Sequence, residues 1–187
     1  MRQPTFKHWI NHQWPAALAL LLLSVPMLLN SALAAEDLSS RDRGYLKDIA
    51  QASLVQIEAS ELAVVKSSSQ DVRQLAREVI REHMLVSDQL KQLAQAKRAE
   101  LPDQPSLIQQ AKFRLLSAKD GVEFDQGYAK AIAVKNQETV VKLFEKVASR
   151  ADDADLKSFA LKHLSPMEAK LDYGRNLRAA LKTDAGE

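Results

Sequence analysis

The chain contains no cysteine. Disulfides, thiol nucleophiles, thiolate metal ligands and a lipid-modified N-terminal cysteine are therefore excluded, and any fold must stand on core packing alone. Glycine and proline are scarce, 5 and 6 in 187 residues, and every glycine is isolated, which leaves no phosphate-cradling glycine loop. Neither Gly-x-Ser-x-Gly nor His-Glu-x-x-His occurs, so the common hydrolase and metalloprotease arrangements are missing too. No alternating β-branched run suggests strands. An uninterrupted apolar stretch of about 20 residues, the length that spans a bilayer, is also lacking.

What is present begins with an export signal. Arg2, Lys7, His8 and His12 form a basic start without an acidic residue, Ala16 to Val25 is apolar except for Ser24, and Asn30-Ser31-Ala32-Leu33-Ala34 ends in Ala-x-Ala. This order reads as a cleavable signal peptide over residues 1–34, with cleavage after Ala34. Pro26, Asn30 and Ser31 interrupt the apolar stretch before membrane-spanning length. Arg2 and Lys7 are two of the 26 cations and the leader holds none of the 24 acids, so residues 35–187 carry 24 charges of each sign. The remainder is neutral, which gives no footing for nucleic-acid binding.

Residues 35–187 are rich in helix formers, with apolar residues recurring at spacings of three and four. Helices are expected over about 41–66, from 70 to about 99, over about 107–117, from about 122 to 149 and over about 155–181. The ordered core then spans about 41–182, with fraying from Thr183 to Glu187. Ser69 and Ser106 are the expected N-caps, and Leu101-Pro102-Asp103-Gln104-Pro105 the clearest break. Pro166 predicts a kink or break near Lys162 to Ser165. Four long helices joined by short connections predict an all-α, up-and-down four-helix bundle with an inserted short helix. No internal repeat stands out.

Two histidines lie beyond the leader, His83 and His163. His83 continues the apolar stripe Ala76, Val79, Val86, Leu90 and so points inward. Glu61 falls in the same sense on the first helix, flanked by Ile57, Val64 and Val65, while Glu82 directly precedes His83 and Glu78 lies one turn back. Glu61, Glu78, Glu82 and His83 are thus the candidate ligands of a metal, iron or manganese. Bundles of the di-iron type take a Glu from each of two helices and Glu-x-x-His from the other two. Here residue 80 is Ile and residue 160 is Ala, so the competing expectation is a satisfied polar pair of Glu61 and His83, with no cofactor. For His163 the expectation is a hydrogen bond to a carbonyl freed by Pro166. Tyr45, Tyr128 and Tyr173 are expected at the core edge with solvated hydroxyls.

Several segments carry a family resemblance: Glu61-Leu62-Ala63-Val64-Val65-Lys66-Ser67, Val72-Arg73-Gln74-Leu75-Ala76, Glu82-His83, Leu101-Pro102, Phe124-Asp125-x-x-Tyr128, Val141-Lys142-Leu143-Phe144 and Pro166. In this order the chain from Tyr45 to Leu181 resembles the DUF4142 family of exported bacterial proteins, often labelled outer membrane or periplasmic proteins. The resemblance implies a ferritin-like helical bundle. It also places a histidine where Asn136-Gln137 stands and another in the region Glu168-Ala169-Lys170-Leu171, so that only His83 of three remains. Carboxamides are weaker transition-metal ligands than imidazole.

These observations predict an exported periplasmic bundle that is not an enzyme and that binds a protein or envelope partner or supports the envelope. The alternative is a degenerate ferritin-like metal protein. Peripheral attachment to the outer membrane is a third reading, against which no helix of residues 35–187 is read as both strongly basic on one side and bulky on the other.

Overall fold

A computed structural model describes residues 37–183; the expected leader and, of the segment Thr183 to Glu187 expected to fray, residues 184–187 lie outside them. Helix α1 runs Ser40–Lys66, α2 Gln70–Ala96, α3 Leu107–Ser117, α4 Gly121–Tyr128, α5 Gln137–Arg150 and α6 Ala154–Thr183. Between α4 and α5, Ala129–Asn136 is a π-helical segment that joins them into one continuous rod. The result is four long rods plus the short α3, all-helical among the described residues. The α1 helix packs on α2 and α5 on α6, and the α2–α6 and α1–α5 contacts close the bundle.

Each stop has a local cause. Ser39, Ser69 and Ser106 each accept the backbone N–H group three residues on, and Ser106 with Gln109 completes a capping box. The two prolines hold 101–105 out of helix. By contrast Pro166 does not break α6: Lys162 to Ser165 remain helical. Packing along the whole rod holds it in place, from Leu156 through Met167 and Leu171 to Leu177.

A repeat that composition conceals becomes visible in the buried face. Asp42, Gly44, Tyr45, Lys47, Ile49 and Ala50 recur 83 positions later as Asp125, Gly127, Tyr128, Lys130, Ile132 and Ala133. Beyond the π-helical segment the offset becomes 84. Buried Ser53, Gln56, Ser60 and Ala63 match buried Gln137, Val140, Phe144 and Val147, and Val72, Ala76 and His83 match Leu156, Ala160 and Met167. One added residue in an α-helix rotates everything after it by about 100° and would turn the buried face outward. A π turn widens the helix by one residue and absorbs that rotation. The α1–α2 and α4–α6 hairpins are thus two copies of one unit.

The copies clasp each other end to end. Asp42, fully buried, accepts the N–H groups of Asp152 and Asp153 at the α5–α6 turn, the latter at 2.8 Å. Its counterpart Asp125 accepts Ser69 N–H at 3.1 Å and the Ser68 hydroxyl at 2.7 Å at the α1–α2 turn. Each hairpin therefore caps the turn of the other, satisfying backbone donors that helix starts leave open.

Candidate functional site

Two apolar clusters fill the bundle. One gathers Leu46, Ile49, Val86, Leu90, Phe144 and Leu156; the other gathers Ala63, Val72, Leu75, Phe124, Tyr128 and Leu177. Between them lies a buried polar layer of Ser53 and Gln56 on α1, His83 on α2 and Gln137 at the start of α5. Gln56 Nε2 donates to Gln137 Oε1 at 2.6 Å, and Gln137 Nε2 donates to the Met167 carbonyl at 3.0 Å, with the Met167 sulfur at 3.5 Å. His83 Nδ1 meets Ser53 Oγ at 3.3 Å, and its ring also faces the Gln137 carboxamide. With Gln137 Nε2 committed to Met167, only Oε1 is left to accept from the imidazole. The arrangement that satisfies both contacts has the His83 proton on Nε2 and the Ser53 hydroxyl donating to Nδ1.

Burial pushes the His83 pKa down to about 4. The Gln137 contact acts against this shift and nearby His163 adds to it. His83 is therefore a neutral ring at neutral pH. His163, also buried, sits between α2 and α6, with Nε2 3.1 Å from Gln89 Oε1 and Nδ1 3.4 Å from Glu82 Oε1. Its ring packs 4.9 Å from the Phe159 ring. Burial lowers its pKa and Glu82 opposes that. The expected bond to a carbonyl freed by Pro166 is replaced by these contacts to α2.

The four sequence candidates do not converge. Only His83 is in the layer. Glu82 serves His163, and Glu78 forms a 3.0 Å ion pair with Lys170 of α6 that holds its carboxyl below the usual range. Glu61 is exposed, on the wall of an open groove with Leu54, Ile57, Met84 and Lys91. The expected Glu61–His83 pair is absent because the buried face of α1 turns. Following Ile49, Ser53 and Ile57 in steps of four drifts about 40° per step. The helix instead buries Gln56, Ala59, Ser60 and Ala63, all polar or small, and leaves Val65 exposed. Tyr128 is a further correction: its hydroxyl is wholly buried and bonded to Ser60 at 2.8 Å. Burial pushes its pKa up.

The donor set can be tested against a transition metal. The repeat makes Ser53 and Gln137 equivalent positions, as it does His83 and Met167. These are four inward positions, one per rod, where a di-iron bundle needs carboxylates and histidines. A hydroxyl, a carboxamide, a thioether and one imidazole stand there, and Ile80 and Leu164 occupy the places three residues earlier. Among the described residues no group of three or more His, Asp or Glu side chains is placed to hold a metal ion. The residues do not fit a di-iron or di-manganese centre. Gln56 and Gln137 were missed as site residues because amides on α1 and α5 read as surface; the one available signal was the Asn136-Gln137 substitution in the family pattern.

A family model described as a domain of unknown function, DUF4142, matches residues 28–177. No curated protein matches the chain. Among solved structures, a Bacillus halodurans C-125 protein described as a spore coat protein is similar in fold, with a TM-score of 0.61. Its identity is 13%, over 80% of this chain and 91% of that one.

Proposed function

The chain belongs to the DUF4142 family, and from that premise we propose that it is an exported, non-catalytic helical-bundle module of the cell envelope, acting in the periplasm by binding rather than by chemistry. One observation supports this most. At the four inward positions where a bundle could hold reactive metal, Ser53, His83, Gln137 and Met167 hydrogen-bond to one another or to Gln56. A buried layer of this kind rigidifies a core and fixes its register. It presents no nucleophile to solvent and no paired carboxylates. The basic, apolar and Ala-x-Ala segments of residues 1–34 support export.

Fractionation of producing cells, with N-terminal sequencing and metal analysis of the purified protein, tests both halves of this reading. The expected result is periplasmic protein beginning at Ala35 without stoichiometric iron or manganese. Unprocessed chain in the cytoplasm would overturn export. Stoichiometric metal that His83→Ala removes would replace the binding role with the degenerate ferritin-like one.

A further inference from the structure

The short helix α3 is amphipathic in an unusual sense, because its larger apolar face looks outward. Phe113 and Leu116 pack inward, whereas Leu107, Ile108 and Leu115 are 78%, 71% and 72% exposed. At about 100° per residue, Leu107, Ile108, Ala111 and Leu115 fall within an arc of about 100°. Lys112 borders that arc on one side and Arg114 on the other. The helix contains no acidic residue.

The face is held in place. Gln51 of α1 grips the start of α3 through Gln104 O at 3.1 Å and Ser106 N–H at 2.9 Å. Lys66 grips its end, bonding Ser117 O and pairing with Asp120 at 2.9 Å. Exposed Val65 and Val122 flank this same end. Isolated exposed apolar residues need no explanation, but a preformed apolar stripe does.

From this the geometry points to α3 as a docking face for an anionic lipid surface. The stripe would enter the boundary between headgroups and acyl chains, while Lys112 and Arg114 extend sideways to the phosphates. Charge complementarity selects this occupant. An anionic headgroup layer supplies phosphates on both sides of a stripe of this width, the complement of an apolar arc edged by Lys112 and Arg114 on a helix without an acid. The expectation that no helix is both basic and bulky on its surface is corrected here by the exposed stripe of α3. The inference deepens the envelope reading and rests on it for its cellular setting.

The test uses the chain beginning at Ala35, a compact unit of its own, and sedimentation with vesicles of phosphatidylglycerol mixed with phosphatidylcholine, against phosphatidylcholine alone. All variants share that N-terminus, so the basic, apolar leader cannot mask the contribution of α3. Ile108→Asp/Leu115→Asp should lower binding to the anionic vesicles more than tenfold. Lys112→Gln/Arg114→Gln should lower it roughly thirtyfold and abolish the preference for phosphatidylglycerol. Leu161→Asp, at an exposed apolar site on α6, should bind as wild type. Circular dichroism verifies that each variant folds. Wild-type affinity in both α3 variants, equal binding to neutral vesicles, or a wild-type dimer that Ile108→Asp/Leu115→Asp dissociates would each overturn the lipid assignment. Such results leave export and the metal-free centre untouched, since those are read from the N-terminus and metal content.

Discussion

The α1–α2 hairpin runs as two unbroken α-helical rods, and the α4–α6 hairpin buries the equivalent positions with one residue more. The surplus is stored in the π segment Ala129–Asn136, and its consequence appears across the interface. An added Cβ on Gly174 would lie 2.2 Å from the Ala133 carbonyl oxygen, inside that segment. The corresponding position in the first hairpin is Leu90, fully buried in an ordinary packed core. The polar layer differs in the same way. The first hairpin contributes the His83 imidazole, the Ser53 hydroxyl and the Gln56 carboxamide, the second the Gln137 carboxamide and the Met167 thioether. Two copies of one unit have thus come to share a hydrogen-bonded centre, in which Gln56 Oε1 has no partner among the described residues.

Gly174→Ala should break the comparison most severely, destabilising by about 3 kcal/mol or more because backbone must move. Deleting exposed Ala131 restores the 83-residue offset throughout, and in that background Gly174→Ala should cost at least about 1 kcal/mol less, a non-additivity that paired thermal or urea melts would reveal. The pH dependence comes next. Folding keeps His83 neutral, so its contribution is complete above about pH 6.5, falls as the unfolded ring takes up protons, and is gone by about pH 4, a loss on the order of 3 kcal/mol. His163 adds to it in the same direction. His83→Gln should flatten most of this slope in urea titrations across that range.

Asp42→Ala should cost about 2 kcal/mol, leaving two turn N–H groups without their acceptor. Asp125→Ala should cost less, since it accepts one backbone N–H and its Oδ1 has no partner among the described residues. The smallest effect distinguishes the repeated glycines. Gly44 has no atom within 4 Å of an added Cβ, so Gly44→Ala should stabilise by up to about 1 kcal/mol. Gly127→Ala should gain less, because Leu116 Cδ1 lies at 3.3 Å. Melting curves of the two variants side by side decide it.

Much of the architecture was legible because it depends on local chemistry. Ser69 and Ser106 cap where their side chains can reach backbone N–H groups, and Pro102 and Pro105 cannot continue a helix. The buried centre was less legible. Apolar spacing finds faces lined by large residues, but α1 buries Gln56, Ser60 and Ala63, so Glu61 was placed inward when it faces solvent. The duplication escaped because its clearest stretch, Asp42 to Ala50 against Asp125 to Ala133, loses register one turn later. The π turn itself has no compositional mark: Ala129-Lys130-Ala131-Ile132 is a good α-helical sequence, and only packing against Gly174 makes the widened turn worth its cost. His83 was found because an imidazole stands out on an apolar stripe, while its amide partners do not.

The central claim is that the bundle is closed at its heart by a neutral, hydrogen-bonded layer rather than by metal ligands. Nitrogen NMR of the His83 imidazole, followed from about pH 7 to about 3 with and without added manganese, addresses it directly. The account predicts an Nε2-protonated ring that titrates near 4 and is unaffected by the metal. A ring titrating near its ordinary value, or one broadened by a single equivalent of manganese, would contradict it.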